Sequence, residues 1–144
     1  MKKVGIIGAS GYTGHELIKL LTKHSGVELV FLNSHSHSGK KVSELYPDFV
    51  GELTYTDWSI TQINNAGIDL VFLALPAGHA IEITKQLDEK IKVVDLGADF
   101  RFKDMAKYKE VYKVDTDLNK NEAVYGLPEL FRSEIKTARI VANP

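Results

Sequence analysis

Short apolar runs alternate along this chain with segments whose apolar residues recur every three or four positions. Lys3-Val4-Gly5-Ile6-Ile7, Val27 to Leu32, Asp69 to Ala74, Lys92 to Leu96 and Arg139 to Ala142 are continuous enough to predict buried strands. Tyr12 to Lys23 carries Leu17, Leu20, Leu21 and, just beyond, His24 at helical spacing, and Ser25-Gly26 stops it. His79 to Lys90 predicts a second helix with Ile81, Ile83, Thr84 and Leu87 inward. Pro128 to Lys136 predicts a third, with proline suited to the first turn. Ser59 caps a small helix through Asn65, because Gln62 stands three residues on as in a capping box. Val42 to Phe49 predicts a short helix broken by Pro47, and Glu52 to Thr56 alternates like a short or edge strand. Strands that alternate with helices, rather than pairing through tight turns, predict an α/β fold. It is a doubly wound, mostly parallel sheet with helices on both faces, one domain over residues 1–144.

The first strand runs into Gly8-Ala9-Ser10-Gly11-Tyr12-Thr13-Gly14 and then into a helix. In that context glycines at such spacing bind the pyrophosphate of a dinucleotide, as in Rossmann-type domains. Gly8 permits a tight exit from the strand, Gly11 lets the backbone approach the phosphates, and Gly14 lets the helix pack closely on the strand. The N–H groups and positive dipole end of the helix face the anion. The spacing is G-x-x-G-x-x-G, one residue longer than the usual fingerprint, so the flanking strand and helix carry the assignment. Ser10 and Thr13 add hydroxyls at the phosphate site or, with the same chemistry, cap the helix.

Hydrophobic residues make up 44% of the sequence and charged residues 26%, which places it with soluble globular proteins. A net charge of −1 gives no electrostatic case for nucleic acid or an anionic membrane surface. The apolar run behind Lys2 and Lys3 is too short for a signal peptide or a spanning helix, so the expectation is a cytoplasmic protein. There is no cysteine, hence no disulfide, no thiolate metal site and no cysteine nucleophile among these residues.

Asn33 to Lys41, after the second strand, is entirely polar. In NAD-binding folds an acidic residue near this strand end grips the ribose 2′-hydroxyl. Here Asn33, Ser34, Ser36 and Ser38 precede Lys40 and Lys41 with no carboxylate between them, which favours a 2′-phosphate and therefore NADP over NAD. Ser34, Ser36 and Lys40 are the candidates for that contact. His35 and His37 alternate but have no third ligand nearby, so they read as exposed loop residues rather than a metal site. In a parallel sheet the turns holding Gly8, Ser34, Pro76 and Gly97 share one edge, where ligands bind.

Several stretches together resemble one family, the N-acetyl-gamma-glutamyl-phosphate reductases of arginine biosynthesis, in the aspartate-semialdehyde-dehydrogenase-like group. They are the glycine turn, Leu73-Ala74-Leu75-Pro76-Ala77-Gly78, Val94-Asp95-Leu96-Gly97-Ala98-Asp99-Phe100-Arg101, Ala123-Val124-Tyr125-Gly126-Leu127-Pro128-Glu129-Leu130 and Val141-Ala142-Asn143-Pro144. Gly97, where a serine is more frequent, and the Ser/His-rich loop, where relatives often carry arginine, depart from the pattern. The resemblance implies that a cysteine thiolate attacks an acyl phosphate and that NADPH reduces the resulting thioester to a semialdehyde. It implies cofactor contacts from Gly8, Ser10, Gly11, Tyr12, Thr13 and Gly14 at the pyrophosphate, and from Pro76, Ala77 and Gly78 on the ribose and nicotinamide side. Arg101 is a candidate for an anionic substrate group, with an ion pair to Asp99 or Asp104 as the alternative. Glu129 is expected to serve the first turn of its helix. The family's cysteine follows Asn-Pro as Asn-Pro-Gly-Cys and is expected just after Pro144, so no catalytic residue is assigned here. The chain is then a cofactor domain lacking its catalytic and dimerisation domain, inactive alone. The full-length enzyme is expected as a homo-oligomer acting on a small acyl phosphate, with no nucleic-acid or membrane partner. A reductase of N-acetyl-aminoadipyl phosphate or aspartyl phosphate, or a stand-alone NADP-sensing module, are the alternatives.

Overall fold

The computed structural model of the chain describes residues 1–113 and 123–144. Its elements follow in the order β1 (Lys2–Ile7), α1 (Tyr12–Leu21), β2 (Val27–Asn33), α2 (Val42–Leu45), α3 (Ile60–Asn65), β3 (Leu70–Leu73), α4 (Ala80–Gln86), β4 (Lys92–Asp95), α5 (Met105–Tyr112), β5 (Ala123–Tyr125), α6 (Pro128–Thr137) and β6 (Ile140–Ala142). Six strands form one sheet in the order β2-β1-β3-β4-β6-β5, and every pair is parallel. The chain leaves β1 toward β2 on one side and returns to lay β3 on the other. The crevice above the β1–β3 boundary is therefore the topological switch point, where sheets of this kind take ligands.

The pleat sends neighbouring residues to opposite faces and so builds two cores. Ile7, Phe31, Val71, Leu73, Val93 and Ile140 pack on one face against Ile63 of α3 and Ala80 of α4. Ile6 and Leu32 pack on the other against Ile18 of α1, Val42, Phe49 and Tyr55. Each fully buried aliphatic side chain of this kind contributes about 1.5–3 kcal/mol. The continuous apolar runs are explained by this double burial. No helix among the described residues is long and apolar enough to cross a membrane.

The Ser59 capping box forms as expected: Gln62 N donates to Ser59 Oγ at 3.3 Å and Ser59 N donates to Gln62 Oε1 at 2.8 Å. Elsewhere the structure differs from the pattern-based expectation. Leu20 faces solvent, because the inward arc of α1 is set by Gly14, His15 and Ile18, and Leu20 lies about 200° around the helix from Ile18. Glu52 to Thr56 does not form a strand; it contributes only single bridges, Lys41 to Thr54 and Asn33 to Thr56. The Asn33 side chain interrupts further pairing by taking Thr56 Oγ1 and the Trp58 amide on its Oδ1. α4 stops at Gln86 because Leu87 turns extended and the following amide, Asp88 N, bonds Asn64 Oδ1 instead. Two elements had not been expected at all, the three-residue β5 and α5, whose N-cap Asp104 accepts from Ala106 N and Lys107 N.

Candidate functional site

The glycine turn ties three strand ends together. Gly8 N and Ala9 N both donate to the Asn33 carbonyl at the end of β2, at 3.1 and 2.9 Å. Gly8 has φ +84°, and a Cβ there would run into the Ala74 carbonyl beyond β3, so this position demands glycine twice over. Gly14 is equally constrained, since a Cβ would lie 2.5 Å from the Gly8 carbonyl oxygen and 2.6 Å from that of Ala9. The close packing expected of it is thus against the turn's own backbone rather than against the strand.

Gly11 differs from both. It is the N-cap of α1 with ordinary extended backbone, and the nearest atom to an added Cβ is Gly8 O at 3.6 Å. No close contact among the described residues excludes a Cβ there, and the space it leaves lies in front of the helix. No side chain caps α1 and its first turn holds no acidic residue. The backbone N–H groups of Tyr12, Thr13 and Gly14 have no acceptor among the described residues. Ser10 does not cap the helix: its Oγ accepts from Ser34 Oγ at 2.7 Å and its carbonyl accepts from Tyr46 OH at 2.8 Å. Tyr12 and Thr13 are exposed beside this opening. The result is a helix N-terminus with a positive dipole end, unfilled donors and room in front, which suits an anion such as a pyrophosphate.

The loop after β2 forms a single 3-10 turn, His35–His37. Ser34 is buried and its hydroxyl is committed to Ser10, whereas Ser36 and Lys40 are exposed. Ser36 Oγ lies 2.8 Å from His37 Nδ1. The expected absence of a carboxylate is true of the loop but not of its surroundings. Asp57, from the next segment, lies 2.8 Å from His35 Nδ1, brought there when Asn33 bonds the Trp58 amide and carbonyl.

At the β3 and β4 ends the polar groups are mostly paired with one another. Asp99, 1% exposed, accepts from Gly78 N at 2.7 Å, Ala80 N at 2.8 Å and Tyr108 OH at 2.6 Å. It thereby caps α4 from nineteen residues away. Burial, and then the Asp99 carboxylate, push the Tyr108 hydroxyl well above its ordinary pKa. Asp95 is fully buried, and burial pushes its carboxyl up to about 6, with the Asp99 charge adding to the rise and the Gly97 N–H and the Arg101 guanidinium opposing it. Its Oδ1 accepts from Gly97 N at 2.9 Å, while Oδ2 has no hydrogen-bond partner among the described residues. Arg101 forms no ion pair with Asp99 or Asp104. Its Nε donates to Asn143 O at 2.9 Å and its Nη2 to Leu96 O at 3.1 Å. With Phe102, Tyr112, Tyr125 and Pro144 it lines a cavity of about 510 Å³. Glu129 sits in the first turn of α6, as anticipated.

A family model described as semialdehyde dehydrogenase, NAD binding domain, matches residues 3–138. The chain belongs to this family. Among curated relatives, proteins named N-acetyl-gamma-glutamyl-phosphate reductase from Thermoanaerobacter pseudethanolicus and Desulforamulus reducens are 44% and 46% identical across 100% of the chain. The chain spans 43% of the length of each. The fold is shared with solved aspartate semialdehyde dehydrogenases. One, with NADP, from Candida albicans, is 20% identical with a TM-score of 0.67 and covers 99% of this chain and 42% of that one. Another, from Vibrio cholerae, is 18% identical with a TM-score of 0.63 and covers 100% and 38%.

Proposed function

We propose that this chain is the NADPH-binding portion of an N-acetyl-gamma-glutamyl-phosphate reductase. The observation that carries the reading is the bare N-terminus of α1 behind Gly11, at the switch point of a parallel sheet. The residues present fit a dinucleotide: unfilled N–H donors, no acid in the first turn, and a glycine whose missing Cβ only a ligand would notice. NADPH, when bound, supplies the hydride. The chain's residues bind and orient it. Gly11, Tyr12, Thr13 and Gly14 offer backbone donors to the pyrophosphate, with Gly8 and Ser10 shaping the turn behind them. Ser36 and Lys40 face the adenosine 2′-phosphate, and Ser34 holds the loop to the glycine turn through Ser10. Pro76, Ala77 and Gly78 line the nicotinamide side. Arg101, steadied by two backbone carbonyls, turns its remaining donors to the anionic substrate in the adjoining cavity. The thiolate of a cysteine mechanism comes from outside these 144 residues, which contain no cysteine. The chain alone is therefore a binding domain.

Titration calorimetry tests the reading. The expected result is saturable NADPH binding, tighter than NADH. No binding at millimolar cofactor would overturn the assignment, and tighter NADH binding would overturn the 2′-phosphate preference. On the side of NAD stand the family model's own description and Asp57, a carboxylate near the loop that normally reads the ribose. Substrate preference is read by steady-state comparison of N-acetylglutamyl, N-acetyl-aminoadipyl and aspartyl phosphates with the full-length enzyme.

A further inference from the structure

Two helices begin at the edge where the dinucleotide is proposed to lie, and only one of them is open. The N-terminus of α4 is already filled by Asp99, whose two oxygens take the Gly78 and Ala80 amides. This carboxylate is almost completely shielded from solvent and is clamped from behind by Tyr108, itself fully buried on α5. The turn it holds, Pro76-Ala77-Gly78, includes Gly78 at φ +96°, a backbone state open to glycine, so what fixes the turn is the hydrogen bonding of the Gly78 and Ala80 amides to Asp99. Pro76 is exposed and Ala77 and Gly78 are half-buried, so this turn presents its outer side to the crevice. A dinucleotide with its adenosine end over β2 and its pyrophosphate at α1 must lay its nicotinamide half beyond β3, along this turn.

We propose that Asp99 is a positioning residue for the nicotinamide half of the cofactor, acting through the two amides by which it fixes the Pro76–Gly78 turn. It touches neither cofactor nor substrate. This inference rests on the NADPH-binding reading given above.

The test compares two ligands on the same chain, NADPH and adenosine 2′,5′-bisphosphate, which lacks the nicotinamide half. Asp99→Asn keeps the shape but replaces one acceptor by a donor that faces a backbone N–H. The expected result is an NADPH affinity lowered by about tenfold or more, with adenosine 2′,5′-bisphosphate within about twofold of wild type. Equal loss for both ligands, or no loss for either, would overturn the positioning role. Tyr108→Phe removes one bond to Asp99 and neither amide bond; it should lower the melting temperature while leaving the ratio of the two affinities unchanged, and a shifted ratio counts against the role. Should Asp99→Asn not fold, the wild-type chain decides by NMR. NADPH should move the Gly78 and Ala80 amide resonances and adenosine 2′,5′-bisphosphate should not. NADPH bound with both resonances still would contradict the proposal. If wild-type chain binds neither ligand, it is the underlying NADPH reading that fails.

Discussion

The N-termini of α1 and α4 open on the same edge of the same sheet, and the chain treats them in opposite ways. The α1 end has a glycine as its cap, no acid in its first turn and three amides without acceptors among the described residues. The α4 end has a buried carboxylate with three hydrogen bonds drawn from 19 to 21 residues upstream and from α5. A capped helix end is the more stable arrangement, so an uncapped one beside it points to a group that arrives from solution. On the proposed reading, the contrast marks where a binding site is kept open at the expense of stability.

Emptying the filled end should have the largest effect. Asp99→Ala leaves the Gly78 and Ala80 amides and the Tyr108 hydroxyl unpaired, and should cost about 3–5 kcal/mol. A denaturant midpoint at unchanged m-value measures this, and a loss below about 1 kcal/mol would show that α4 does not depend on its cap.

Asp95, four residues earlier, sharpens the same comparison because its carboxyl is buried but incompletely bonded. Its folded pKa is raised from 3.8 to about 6, so the folded state binds this proton more tightly than the unfolded one. The associated stability is fully present below pH 3.8 and is lost as pH rises through about 6. Above that range the ionised carboxyl costs on the order of 3 kcal/mol. Asp95→Asn, which cannot ionise, should therefore be more stable than wild type at pH 8 and should flatten the stability profile between these values. A profile identical to wild type would remove Asp95 from the account.

Filling the open end should give the smallest change in stability and an opposite change in binding. Gly11→Asp places a carboxylate at the α1 cap and should add about 0.3 kcal/mol of stability while weakening NADPH by about tenfold. Unfolding and calorimetry on one sample check both signs. Gains in both would mean that the pyrophosphate sits elsewhere.

How much of this could be read from the sequence depends on the range of the interaction. The continuous apolar runs located β1 to β4 and β6, because burial on both faces leaves a local signature. The Ser59–Gln62 box and the strand–glycine–helix passage are likewise complete within a few residues. Three-residue β5 is too short to carry a pattern, and its partner β6 is recruited only by the sheet. α5 hid in a lysine-rich stretch, although Asp104 followed by Tyr108 and Tyr112 at four-residue spacing was a usable sign. Nothing in spacing could link Asp99 to α4, or bring Asp57 to His35, since both contacts exist only after the strands have paired. The roles of the glycines separated in the same way. Gly8 and Gly14 are fixed by close backbone contacts, whereas Gly11, the cap of α1, has room for a Cβ.

That last distinction allows the central claim to be tested in one measurement. Gly11→Val adds a side chain where the protein has space and the backbone is already extended. NADPH titration of this variant, with its melting temperature recorded alongside, should show binding abolished while the fold is kept, at a cost of about 1 kcal/mol for valine at the helix cap. Undiminished NADPH binding by a folded Gly11→Val chain would contradict the placement of the pyrophosphate at the α1 terminus.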